Sequence, residues 1–184
     1  MGAKALEKQP GLVLLMGCII CRWTIVETHT AMLFATLLPD ETESALDIYH
    51  TFFEANVRKN VFLAVAKRKL SPSLYRKADD FHNDLRRVMG DRNKIAHGLW
   101  CWSENAPDCL CTVEQSFVSN AFLERLKVVR GDPFNIPAAK QFGLGAKITA
   151  YSDKDFSTML ERMEAFDRKG LELVHAFTEH ISPF

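Results

Sequence analysis

Arg92, Asn93 and His97 place a permanent cation, an amide and a near-neutral acid/base within about one and a half helical turns. Arginine keeps its proton throughout the physiological range and presents a planar donor fork matched to phosphate. Histidine is the side chain that gives or takes a proton near pH 7. Together they hold what cleavage of RNA without a metal requires. A proton acceptor frees the ribose 2′-hydroxyl, a proton donor serves the leaving oxygen, and a fixed cation meets the charged phosphorane.

Spacing alone does not single this pair out. Arginine separated by four to six residues from histidine also occurs at Arg22/His29, Arg76/His82 and Arg168/His175. Context separates the fourth pair, because a polar Asn93 follows Arg92 and a helix-ending Gly98 follows His97. Leu74, Ala78, Phe81, Leu85, Val88, Arg92 and Ile95 recur at spacings of four and three, one stripe facing a partner helix. Arg92 is the only charge in that stripe, and a buried guanidinium costs on the order of several kcal/mol unless it is paired or faces water.

Two explanations follow. Glu27 shares a stripe on the first helix with Val13, Met16, Ile20, Trp23, Thr30 and Phe34, and is expected to meet Arg92 as a supporting carboxylate. The other is a phosphate-binding cleft, and the two are compatible. Asn93 and His97, four apart, share one helix face. Arg92 and His97, five apart, diverge by about 140° on an ideal helix. Convergence therefore requires the helix to loosen at Gly98, or a second copy of the chain to supply the missing groups. Taken alone, a histidine at a helix C-terminus is also explained by the helix dipole.

Four long helices must position these residues. The first runs from about Leu12 to Leu38, ending at Pro39, with apolar residues on nearly all faces, which suggests the centre of a bundle. The second covers about Glu43 to Lys69. The third opens with Ser71 as N-cap and Pro72 at its first position and closes at Gly98. The fourth starts at Ser152-Asp153-Lys154-Asp155 and continues to about Ile181. Between the third and fourth, residues 99–150 read as an insertion. A small β-hairpin pairs Leu99–Trp102 with Cys109–Val113 around Asn105-Ala106-Pro107-Asp108, a short helix covers Phe117–Arg130, and an irregular loop covers Gly131–Gly145. The fold class is all-α with that hairpin, in a single domain over residues 1–184.

The 184 residues are 47% hydrophobic and 25% charged, which suits one globular domain and excludes a disordered chain. Lys plus Arg equal Asp plus Glu at 23 each, so no global field attracts nucleic acid. From Glu54 to Gly98, however, eleven basic residues face five acids, a local +6 suited to polyanions. Arg86, Arg87 and Lys94 are the expected RNA contacts. The cysteines at 18, 21, 101, 109 and 111 include one Cys-x-x-Cys but no second metal-ligand pair, so reduced thiols and a cytoplasmic protein are expected. Arg22, Glu27 and His29 interrupt the first helix, which reads as buried and neither membrane-spanning nor a targeting segment.

Arg92-Asn93, His97 four residues beyond Asn93, and the ending Ala96-His97-Gly98 resemble the signature of the HEPN family (higher eukaryotes and prokaryotes nucleotide-binding). The order of helices over residues 12–100 and 150–181 resembles its helical fold. The resemblance implies a bundle of four helices, a homodimer joined across the motif helices, and metal-independent cleavage of single-stranded RNA to 2′,3′-cyclic phosphate and 5′-hydroxyl ends. It implies Arg92, Asn93 and His97 as catalytic residues, no cofactor, and a toxin-like or defence role with a possible protein inhibitor or antitoxin as partner.

The leading alternative is a non-catalytic module of the same fold that binds nucleic acid, a nucleotide or a protein. A carboxylate-bridged metal site is a more distant one. Asp47/His50, Asp79/His82 and Glu172/His175 each put an acid and a histidine one turn apart, but only one Glu-x-x-His is present.

Overall fold

A computed structural model describes residues 3–113 and 148–181. These residues are mainly helical, with a small antiparallel sheet. In chain order they form α1 (Ala3–Leu6), α2 (Pro10–Ala35), a 3-10 turn (Pro39–Glu41), α3 (Thr42–Thr51), α4 (Ala55–Lys69) and α5 (Pro72–His97). Strands β1 (Leu99–Ser103), β2 (Ala106–Val113) and β3 (Ile148–Tyr151) follow, then α6 (Asp153–Ile181). Two compact units result: Met1–Gly17 with Asn93–Ser157, and Cys18–Arg92 with Thr158–Phe184.

Both caps expected for the long helices are present. Ser71 Oγ accepts from the Leu74 amide at 3.4 Å, three residues into α5. At the start of α6, Asp155 accepts from the Ser152 amide at 2.8 Å and from its hydroxyl at 2.6 Å. Both bonds run from Ser152 to the Asp155 carboxylate, and the first satisfies the Ser152 amide at the helix start. The same hydrogen bonds hold the Asp155 carboxyl below its usual value.

The second expected helix is two helices. Phe52 and Glu54 adopt extended backbone, and the chain breaks between α3 and α4. No proline or glycine forces this. Thr51 donates its hydroxyl to the Ile48 carbonyl at 2.7 Å, competing with helix continuation. Arg58 Nε then donates to the Phe52 carbonyl at 2.5 Å, while its guanidinium lies 5.2 Å from the Tyr49 ring centre. One arginine thus holds the break, and Phe53 is left 94% exposed.

In the unit built on Cys18–Arg92 and Thr158–Phe184, the core includes Phe34, Phe62, Phe81 and Phe177, all essentially fully buried. Phe81 stacks on Phe166 with ring centres 4.4 Å apart. Gly170 faces this ring pair, and a Cβ there would make ordinary contact with Phe81 at 3.4 Å.

Helix α2 differs from expectation in two ways. Its buried stripe is Met16, Ile19, Trp23, Val26, Thr30 and Leu33, so Ile20 and Glu27 face outward. Nor is it enclosed on all sides. Leu14, Ile20, Ile25 and Met32 are exposed, and only 28% of its most apolar 18-residue window is buried. Length and composition would let this helix cross a membrane, which core helices and signal sequences also satisfy.

In the other unit the hairpin forms with a different turn. Leu99 pairs with Val113, Trp100 with Thr112 and Cys101 with Cys111, and Glu104-Asn105 make the turn. Strand β2 therefore begins at Ala106, earlier than expected. Pro107 is tolerated because it sits past an irregularity at Cys101/Ser103 and before the residues paired to β3. Strand β3, unexpected from sequence, pairs Ile148–Tyr151 with Leu110–Val113. The short helix and irregular loop expected over 117–145 lie outside the described residues.

Candidate functional site at the end of α5

The inward stripe of α5 is as expected: Ala78, Phe81, Val88 and Ile95 are buried, and Arg92 among them is half-buried. The Arg92 guanidinium lies 5.9 Å from the centre of the Trp23 ring. A cation over an indole face is worth about 0.5–2 kcal/mol, more as water is excluded. Beside it, Asp91 is buried with Arg162 Nε at 3.3 Å. Glu27 lies elsewhere: it is exposed, and its carboxylate meets Arg58 at 3.9 Å. The first helix thus brings an indole to Arg92 where a carboxylate was expected.

His97 closes the helix and is exposed, as are Lys94 and Ala96, while Asn93 is half-buried. The helix end is anchored on the sheet. Trp100 is buried and donates its indole N–H to the Ile95 carbonyl at 3.1 Å, satisfying a last-turn acceptor. Tyr151 and Phe156 pack against the Trp100 ring at 5.6 and 5.8 Å. Gly98 is required by this closure. A Cβ there would sit 2.6 Å from the Lys94 carbonyl and 3.0 Å from both Thr112 and Trp100. Gly98→Ala is therefore expected to lower stability by about 1–3 kcal/mol, read as a reduced urea midpoint. Unchanged stability would show that the helix end yields freely.

Because α5 stays helical through His97, the loosening at Gly98 considered above does not occur before the motif ends. On an ideal helix, positions five apart such as 92 and 97 diverge by about 140°. Asn93 and His97 share a face. Arg86 and Arg87 are exposed on α5, the latter 3.9 Å from Asp84. Part of the basic segment is already neutralised. Lys59 meets Asp79 at 3.2 Å and Arg58 meets Glu27 at 3.9 Å, while Asp84, one of the segment's own acids, is taken up by Lys169 at 2.6 Å.

The other three arginine–histidine pairs have separate fates. Arg22 and His29 both reach Asp167, with Arg22 also 3.2 Å from Glu164. His82 is buried between Phe62 and Phe81, whereas Arg76 is exposed. Arg168 and His175 are exposed, and His175 faces Glu179 at 3.4 Å. Among the described residues no three His, Cys, Asp or Glu side chains gather as metal ligands would.

Burial raises the Cys101 and Cys111 thiols above their usual value. Both are therefore poor thiolates at neutral pH. Trp23 as the seat of Arg92 and Trp100 as the lock on the helix end were not assigned from sequence. The available signal was Trp23 one turn before Glu27 in an apolar stripe.

Compared with protein-family models, with curated proteins and with solved structures, the chain gives no match.

Proposed function

We propose that this chain is a HEPN-like, metal-independent endoribonuclease, its long helices forming the family's bundle and two copies joining along α5. His97 of one copy takes the 2′-hydroxyl proton as the oxygen attacks phosphorus. His97 of the second copy protonates the departing 5′-oxygen. Arg92 stabilises the phosphorane charge, and Asn93, on the same face as His97, orients it or contacts phosphate. Arg86, Arg87 and Lys94 guide the RNA strand. The setting proposed is the cytoplasm, in a toxin-like or defence role held in check by a protein inhibitor.

The observation that carries this reading is the construction of the α5 terminus. An exposed histidine stands on a helix end fixed by Trp100 and Gly98, a turn and a half beyond an arginine held on the buried stripe. A merely solvated histidine needs no such support. The divergence of Arg92 and His97 within one chain is the reason for two copies. If copies do not pair, the same divergence favours the non-catalytic module that binds nucleic acid or a nucleotide.

Product ends test the chemistry. Incubation of single-stranded RNA with the purified chain in EDTA is expected to leave 2′,3′-cyclic phosphate and 5′-hydroxyl termini. Fragments with 5′-phosphates would contradict the mechanism, since water and not the ribose would then be the nucleophile.

A further inference from the structure

The hairpin that follows α5 carries three thiols close together. Cys101 and Cys111 are direct partners in the antiparallel register of β1 and β2. Direct partners project to the same side of a sheet. Cys109 lies two residues before Cys111 on the same strand. Burial raises the Cys111 thiol most, and the charges of Cys101 and Cys109 raise it further, so each stands within electrostatic reach of it. Among the described residues no three such side chains converge as metal ligands would. The geometry suits a bond between two sulfurs instead.

One pair has the required spacing. Directly opposed residues of antiparallel strands have Cα atoms about 4.5–5.5 Å apart, inside the roughly 4.4–6.8 Å that a disulfide spans. Cys109 and Cys111 stand about 6.6 Å apart along an extended strand, at the edge of that range. Opposed Cβ atoms lie about 4.5–5.5 Å apart, slightly wider than the roughly 3.5–4.5 Å of a relaxed disulfide. A bond between Cys101 and Cys111 therefore closes under tension and is among those that reductant reopens readily. Its position gives it a consequence. Trp100, next to Cys101, donates to the Ile95 carbonyl, and Thr112, next to Cys111, borders Gly98. Both strands that the bond would tie thus hold the end of α5.

We propose that Cys101 and Cys111 are a reversible modification site, which small disulfides of the oxidised-glutathione class convert to a cross-strand disulfide tying β1 to β2 beside the end of α5. The half-exposed Cys101 thiolate attacks one sulfur of the reagent, and one glutathione thiolate leaves. The buried Cys111 thiolate then attacks the Cys101 sulfur of the mixed disulfide, and the second glutathione thiolate leaves. Two protein thiols lose their protons and are oxidised, and one reagent disulfide is reduced to two thiols. Burial keeps the thiolate fraction of both cysteines small, so closure is slow, on the order of hours. The site stands apart from the catalytic reading, because it is measured with no RNA present.

The full chain is held in excess oxidised glutathione, unfolded in maleimide and mapped by peptide mass without reductant. The wild type should yield a peptide pair linked from Cys101 to Cys111, at a rate independent of protein concentration. Dithiothreitol should return both thiols to maleimide. Cys109→Ser should form the same link at an unchanged rate. Cys111→Ala should keep glutathione on Cys101 and form no internal link. If that variant fails to fold, the wild-type map and Cys109→Ser decide the matter. Amide hydrogen exchange across Leu99–Val113 should slow on the order of tenfold in the linked chain, since the strands can no longer part freely. Maleimide uptake at both thiols after hours in the reagent would overturn the proposal. So would a link to Cys109 in place of Cys101, or a linked chain with unchanged exchange.

Discussion

His97→Ala is expected to slow RNA cleavage by about 10²- to 10⁴-fold, the usual contribution of a positioned proton-transfer group. The fold should survive. His97 is exposed at the end of α5, so its removal is expected to change stability by no more than about 1 kcal/mol. His97→Gln keeps a polar side chain but cannot carry the proton, and it should be as inactive as the alanine variant. Arg92→Ala is expected to lose about 10²- to 10³-fold, the scale of removing one donor from a charged transition state. Its half-burial over Trp23 means that this change also loosens packing. Arg92→Lys is the sharper comparison. It keeps the charge and most of the stem but loses the planar fork, so it should restore stability more than activity. Equal recovery of both would reduce Arg92 to a structural cation.

The second large effect concerns His82 and acid stability. The imidazole is 2% exposed, between Phe62 and Phe81, and its Nε2 has no hydrogen-bond partner among the described residues. Burial pushes its pKa down to about 4, Lys59 adds to the effect, and Asp79 opposes it. An unfolded chain regains the ordinary value of 6.5. Between these values the unfolded state binds a proton that the folded state refuses, so stability rises with pH across the window. The contribution is complete above about pH 7 and is lost as pH falls from 6.5 toward 4. A displacement of roughly 2.5 units corresponds to about 3 kcal/mol. Urea unfolding at pH 7.5, 6, 5 and 4.5 should trace that decline, and His82→Leu should flatten it. Asp155 titrates in a separate range. Its carboxyl is held below 3.8, so its contribution disappears only at more acid pH. A His82→Leu protein with the wild-type slope would place the acid sensitivity elsewhere.

The helices that carry the candidate site were legible in the sequence because local chemistry fixes them. Ser71-Pro72 and Ser152 through Asp155 are start signals whose hydrogen bonds form within a few residues. Gly98 is a stop signal whose missing Cβ is needed locally against the Lys94 carbonyl, and also against Thr112 on β2. What depends on tertiary partners was not legible. The apolar stripe of α5 was readable because its opposite face is charged. On α2, apolar residues occur all round, and periodicity could not decide that Ile19 and Val26 turn inward while Ile20 and Ile25 turn outward. The same ambiguity put Glu27 on the wrong stripe, and with it the carboxylate expected at Arg92. The break at Phe52–Glu54 rests on Arg58 reaching back to the Phe52 carbonyl, which no local pattern announces. Strand β3 follows from pairing with β2, a contact across more than thirty intervening residues. Of the four arginine–histidine spacings, context singled out Arg92/His97, but only coordinates could send Arg22 and His29 to a shared Asp167.

One side-by-side assay bears most directly on the central claim that His97 moves protons at a phosphodiester with no metal involved. Single-turnover cleavage of a single-stranded RNA is followed in EDTA with the wild-type chain and with His97→Ala. The account expects wild-type cleavage to persist in the chelator and to fall at least about 100-fold in the variant. Cleavage that appears only when magnesium is restored, or that proceeds unchanged without the imidazole, would contradict it.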